Sequence, residues 1–106
     1  MIQSSKHILS AIQDTLRKVA PQAKAILYGS RARGDNHVNS DWDILILLDK
    51  EKLDANDFDD ISYPLYELGW QLDEVIIPKL YTVNEWLKRK ITPFYKNIER
   101  EGIVLL

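Results

Sequence analysis

Asp41 and Asp43 stand two residues apart at the head of an apolar run, Ile44-Leu45-Ile46-Leu47-Leu48. On a strand, that spacing sends both carboxylates to one face, about 6–7 Å apart along the backbone. Side chains so placed converge on one divalent ion or bridge two, and hard oxygen donors suit magnesium. Ten residues separate Asp41 from Ser30, which follows the short run Ile26-Leu27-Tyr28-Gly29. Gly29 lets the backbone approach an anion without a Cβ in the way. Ser30 adds a hydroxyl donor, and the nearby N–H groups add fixed partial positive charge. Arg31 and Arg33 carry charge suited to a triphosphate or pyrophosphate; the competing assignment is a structural pairing of one of them with Asp35 or Asp41. The combination points to a site for a divalent metal and a phosphate chain.

Nucleotidyl transfer fits such a site. Breaking the α–β bond of a nucleoside triphosphate demands positioning and compensation of negative charge more than covalent help. Two ions about 3.5–4 Å apart would activate the attacking oxygen and stabilise the leaving one, so two magnesium ions are expected, with ATP or another NTP as substrate. A third carboxylate is useful as a base or a further ligand. Asp73 and Glu74 are the candidates, and Asp73 is favoured, on a strand expected over Gln71–Ile77 and stopped by Pro78. Asp41, Asp43 and Asp73 are thus the expected catalytic and metal-binding set. Gly29, Ser30, Arg31 and Arg33 are the expected phosphate-binding set.

The elements that must position these residues follow from periodicity. Ile8, Ile12, Leu16 and Val19 recur at helical spacing, with Ser4 or Ser5 as cap and Pro21 beyond the end. Ala25–Tyr28 reads as a buried strand, Ser30–Arg33 as one helical turn, and residues 34–40 as an exposed loop. Trp42–Leu48 is a strand covered on both faces. Phe58, Ile61, Leu65 and Leu68 mark a helix that Pro64 either kinks or starts late. Asn84 is expected to cap a short helix carrying Trp86 and Leu87. Pro93 opens a last helix that Gly102 stops, with Phe94, Tyr95 and Ile98 inward. Ile103–Leu106 reads as a final strand or packing arm. The sum is an α/β (α+β) fold, a small mixed sheet covered by helices, as a single domain over 1–106.

The string Gly29-Ser30-Arg31-Ala32-Arg33-Gly34, with Ser40-Asp41-Trp42-Asp43 behind it, resembles the signature of the DNA-polymerase-β-like nucleotidyltransferase superfamily, and within it the minimal nucleotidyltransferase branch. The resemblance implies phosphate binding by Gly29 and Ser30 and magnesium binding by Asp41 and Asp43. It also implies a third acid on a later strand, flanked by apolar residues. Leu72-Asp73-Glu74-Val75 departs from that pattern by carrying two adjacent acids. Many proteins of this branch resemble antitoxins encoded beside a helical HEPN-type partner, and the implied reaction is transfer of AMP to a tyrosine of that partner.

The bulk properties exclude other classes. The 106 residues suit one small domain. A net charge of -2 argues against nonspecific nucleic-acid binding. The absence of cysteine excludes disulfides, thiolate metal sites and cysteine nucleophiles. No signal peptide or membrane-spanning run is visible, so a cytoplasmic location is expected. His7 and His37 read as surface and loop residues, the tryptophans as core or interface, and Asp54–Asp60 as a solvated segment. Two rival functions remain open: transfer to a small aminoglycoside-like acceptor, which needs a cleft made by homo-oligomerisation, and a catalytically weak protein that binds nucleotide and masks its partner.

Overall fold

The computed structural model describes residues 4–106. Met1-Ile2-Gln3, part of the segment read as lacking a signal peptide, lies outside the described residues. Helix α1 (Ser5–Val19) starts where the Ser4 hydroxyl accepts the His7 backbone N–H at 3.1 Å, and it buries Ile8, Ile12 and Leu16. Strand β1 (Lys24–Tyr28) leads through Gly29 into the single turn α2 (Ser30–Arg33). After an exposed loop comes β2 (Trp42–Leu48). The sheet is completed by β3 (Ile76–Thr82) and the short β4 (Ile103–Val104), in the order β3-β2-β1-β4. β1 runs antiparallel to β2 and β4, whereas β2 and β3 are parallel.

Alternation sorts the sheet into two apolar faces. Ala25, Leu27, Trp42, Ile44, Ile46, Ile76 and Leu80 pack with Ile12 and Leu16 of α1 and with Leu65 of α4 (Tyr63–Leu72). Ile26, Leu45 and Leu47 point the other way, against Trp86 of α5 (Val83–Leu87) and Ile98 of α6 (Pro93–Glu101). Coverage on both sides explains why β2 is apolar at each position beyond Asp43.

The helix before β3 solves the Pro64 problem in an unexpected way. A short α3 (Ala55–Asp57) widens into a π-helical turn, Phe58–Ser62, in which the Tyr63 N–H reaches back to the Phe58 carbonyl. Pro64 then falls at the second position of α4, directly after the π-helical turn.

Three expectations need correcting. The third strand does not span Gln71–Ile77. Helix α4 continues to Leu72, and Asp73 closes it in the left-handed region at φ 56°, its N–H bonding to the carbonyls of Gly69 and Trp70. Pro78 does not end the strand; it lies within β3, in register with Ile44. β3 is an edge strand, and only an edge tolerates a residue with no N–H to donate. Asn84 does not cap α5. Thr82 does, its hydroxyl accepting from the Glu85 N–H at 3.1 Å while Glu85 accepts from the Thr82 N–H at 2.9 Å.

Gly102 ends α6 as expected, but with φ -66°, so handedness is not the reason for glycine. A Cβ there would stand 2.5 Å from Ile26 Cγ2 and 2.6 Å from the Ile98 carbonyl. The following Ile103–Val104 pairs with β1, and Leu105 is buried. Among the described residues no helix is long and apolar enough to cross a membrane. Leu65 is fully enclosed between α1 and the sheet. Leu65→Ala is expected to lower unfolding free energy by about 2–5 kcal/mol, measured by urea denaturation, because the cavity cannot fully collapse.

Candidate functional site

The antiparallel pairing of β1 with β2 lays Tyr28 opposite Asp43. The chain leaves β1 at the same end of the sheet where β2 begins, so Gly29 turns close against Asp43. Gly29 adopts φ 77° and ψ -159°, a region open to glycine. A Cβ on Gly29 would also sit 2.5 Å from Asp43 Oδ2. Glycine is therefore required twice, for backbone conformation and for contact with the carboxylate. Ser30 opens α2, whose first N–H groups have no acceptor inside the turn and could serve an anion.

Asp41 and Asp43 lie side by side at the start of β2. Burial pushes the Asp43 carboxyl above the usual carboxylate range, and the Asp41 charge adds to the rise; Arg33 and Lys79 pull it back down. Among the described residues neither aspartate forms an ion pair. Two repelling carboxylates, one partly buried, without a cationic side chain in contact, suit a divalent cation as donor set. Next to them, burial pushes the Tyr28 hydroxyl up to about 12, with Asp43 and then Tyr81 adding to the effect. Tyr28 therefore stays protonated at neutral pH. Its ring meets Phe94 of α6 edge-on at 5.6 Å.

The two arginines part company. Arg33 extends on the exposed side, pairing with Asp35 at 3.2 Å and lying 3.6 Å from Glu101, and its charge is felt at Asp43. Arg31 turns to the opposite face. Its guanidinium donates to the Ser40 carbonyl at 3.0 Å and the Val38 carbonyl at 3.3 Å, and stacks 4.3 Å above the Trp42 ring. Its side chain is 6% exposed, so the expected phosphate role of Arg31 does not fit its position. Arg31 instead braces the loop that delivers Asp41.

Neither candidate third acid joins Asp41 and Asp43 on their strand face. Asp73 caps α4 and lines a groove of about 540 Å³ with Ser4, Ile8 and His37. Asp41, Asp43, Gly29 and Ser30 do not line that groove. Glu74 accepts the Trp42 indole N–H at 2.8 Å and lies 3.6 Å from Arg31, on the far face of the sheet. The expectation of Asp73 on a strand beside the site is therefore corrected; the helix cap takes it away. Among the described residues no cluster of three or more metal-ligating side chains is present.

Sequence reasoning missed Lys79 and Phe94 as neighbours of the site. Lys79 was hidden because Pro78 was read as a stop; alternation from Ile77 would have placed it on the Asp43 face.

Comparison with known proteins agrees with this geometry. Residues 10–106 match the family model described as "Polymerase beta, Nucleotidyltransferase". No curated protein matches the chain by sequence. Among solved structures, the chain is similar to a "toxin-antitoxin with AMP-PNP", with 23% identity over 92% of this chain and 72% of that one, at a TM-score of 0.62. It is also similar to a tyrosine-to-alanine mutant of the toxin-antitoxin MntA-HpeT, with 24% identity over 98% and 73% of the two chains, again at 0.62. At these identities the structures speak to the fold alone, whereas the family match spans nearly the whole chain. Because that family match covers residues 10–106, the chain belongs to the polymerase beta nucleotidyltransferase family.

Proposed function

We propose that this protein transfers a nucleoside monophosphate, AMP from ATP, to a hydroxyl of a partner protein, as the antitoxin of a pair whose toxin is a helical HEPN-type protein. The observation that supports the transfer reading is the close approach of Gly29 to the Asp43 carboxylate, where a Cβ would stand 2.5 Å from Oδ2; in this reading Gly29 belongs to a phosphate cradle and Asp43 to a cation-binding pair. The toxin-antitoxin reading draws on the structural neighbours, one of them described with AMP-PNP.

In this reading Asp41 and Asp43 hold magnesium, which would neutralise charge on the phosphate chain. Gly29 admits the chain to backbone contact, and Ser30 donates its hydroxyl and N–H. Arg33 faces the same side and offsets the triphosphate charge. The acceptor hydroxyl oxygen attacks the α-phosphorus, the bond from that phosphorus to the α–β bridging oxygen breaks, and pyrophosphate leaves with the electron pair. The acceptor's proton passes to solvent.

A protein acceptor is favoured because the groove of about 540 Å³ opens on the Asp73 side and its lining does not include Asp43. A protein partner also has a surface to meet. From Leu53 to Pro78 the sequence has no Lys or Arg, and Asp59, Asp60 and Glu67 are exposed there. Tyr63, Tyr66 and Trp70 are exposed along the same helical segment, Trp70 at 68%. An acidic face with aromatic anchors fits a partner with a basic surface.

The two-acid site also supports the rival of a catalytically weak nucleotide-binding protein, and one experiment decides between them. The chain is incubated with labelled NTPs, magnesium and the helical protein encoded beside it, and the partner is read by mass spectrometry. An AMP adduct on a partner tyrosine is expected; nucleotide binding without any adduct selects the weak-binding rival.

Asp43→Asn is expected to lower transfer by more than about a thousandfold, since a charged cation ligand acting in the transition state is lost. Full transfer in that variant would sink the mechanism. The same variant should be more stable than the parent in metal-free buffer. Because the folded-state value of Asp43 is raised, its ionisation costs stability at pH above that value, and the cost vanishes below the ordinary value of about 3.9. Thermal melts should show a gain for Asp43→Asn at pH 7 that shrinks to nothing as pH falls through that window.

A further inference from the structure

The parallel register of β2 and β3 decides what shares a face with Asp43. Asp43 is level with Ile77, and Leu45 is level with Lys79. Residues level with each other in a parallel pair point the same way, so Ile77 and Lys79 occupy the Asp43 face. One step earlier, the Val75 carbonyl accepts the Trp42 N–H at 2.8 Å, which puts Val75 beside Asp41. The β3 side of the site thus reads Val75, Ile77, Lys79, with no acid. Both nearby acids are engaged elsewhere, Asp73 at the end of α4 and Glu74 with Trp42 and Arg31. The donor set is two carboxylates, and their combined charge balances one divalent ion.

Lys79 supplies positive charge on that face. Its ammonium lies 5.1 Å from the centroid of the Phe94 ring, and Phe94 packs edge-on against Tyr28, the residue opposite Asp43. The ring platform stations the ammonium on the site's side of the sheet. Among the described residues Lys79 has no carboxylate within ion-pair distance. It is close enough for its charge to lower the Asp43 value. A lysine ammonium is a compact point charge suited to a phosphate oxygen.

We propose that the nucleotide complex of this protein holds one divalent ion per chain, and that the Lys79 ammonium binds the nucleotide's phosphates and supplies the charge a second ion would bring. This rests on the reading that a nucleoside triphosphate binds over Gly29 and Asp43. As the bond between the α-phosphorus and the bridging oxygen breaks, negative charge grows on the departing pyrophosphate, and a fixed ammonium offsets it without any metal ligand.

The test uses α,β-methylene-ATP, which cannot be cleaved at that bond, and manganese in place of magnesium. Free manganese is counted by electron paramagnetic resonance during titration of the nucleotide complex, and nucleotide affinity is measured by calorimetry. One bound manganese per chain is expected. Lys79→Met should weaken nucleotide binding at saturating manganese by about tenfold, the scale of one charge-assisted phosphate contact. Lys79→Arg should stay within a few-fold of the parent, as should Lys18→Met, a charge control at the far end of α1. Thermal melts confirm folding of each variant, which is expected because Lys79 is exposed. Two bound manganese ions in the parent complex, or unchanged affinity in Lys79→Met, would overturn the proposal while leaving the transferase reading standing. Failure of the parent chain to bind the nucleotide at all would overturn both.

Discussion

The antiparallel pairing of β1 with β2 is the constraint from which the site is built. It sets Tyr28 opposite Asp43, so the turn that follows Tyr28 must pass over the Asp43 carboxylate. There is no space for a side chain at that crossing, since a Cβ on Gly29 would stand 2.5 Å from Asp43 Oδ2. The helices serve this arrangement. Helices α1 and α4 cover one face of β2, and α5 and α6 cover the other, which holds the strand flat between two apolar layers. A rigid strand on both sides is what allows two aspartates to be kept in place despite their mutual repulsion.

That repulsion is a local cost borne by the fold. Asp43 is partly buried beside Asp41, and no cation among the described side chains touches either of them. The arginine nearest in sequence to the Gly29-Ser30 turn does not relieve it. Arg31 is spent on the opposite face, where it ties the Val38 and Ser40 carbonyls to the Trp42 ring and to Glu74. The loop before Asp41 is held from behind, while at the front the charges of Arg33 and Lys79 act on Asp43 without contacting it. Two adjacent carboxylates on a braced approach form a donor set that could hold a divalent cation.

Much of this was legible in the chain itself. The β2 boundaries, the single turn Ser30–Arg33 and a serine cap at Ser4 or Ser5 all follow from local chemistry: apolar runs, a Gly-Ser turn, a hydroxyl before a helical period; the structure selects Ser4. Helix α6 was readable because Pro93 and Gly102 bracket it. The errors cluster where a residue's meaning depends on its neighbour in space. Pro78 ends a central strand but is allowed on an edge, and edge position is a property of the assembled sheet. Misplacing that strand then moved Asp73 onto it and left Lys79 off it. Pro64 was correctly seen as a disturbance, yet the π-helical turn that absorbs it has no simple sequence mark.

By itself the sequence determined the motif and therefore the family: Gly29-Ser30 and Asp41-x-Asp43 sit at a spacing that survives any detail of packing, because a strand's two-residue period fixes which carboxylates share a face. Only the tertiary structure decided which other charges join them. The direction of Arg31, the capture of Glu74 by Trp42 and the arrival of Lys79 on the Asp43 face depend on the register between β2 and β3 and on the cap that ends α4. Those are relations between segments distant in sequence, and a shift of one residue in register would reverse each face.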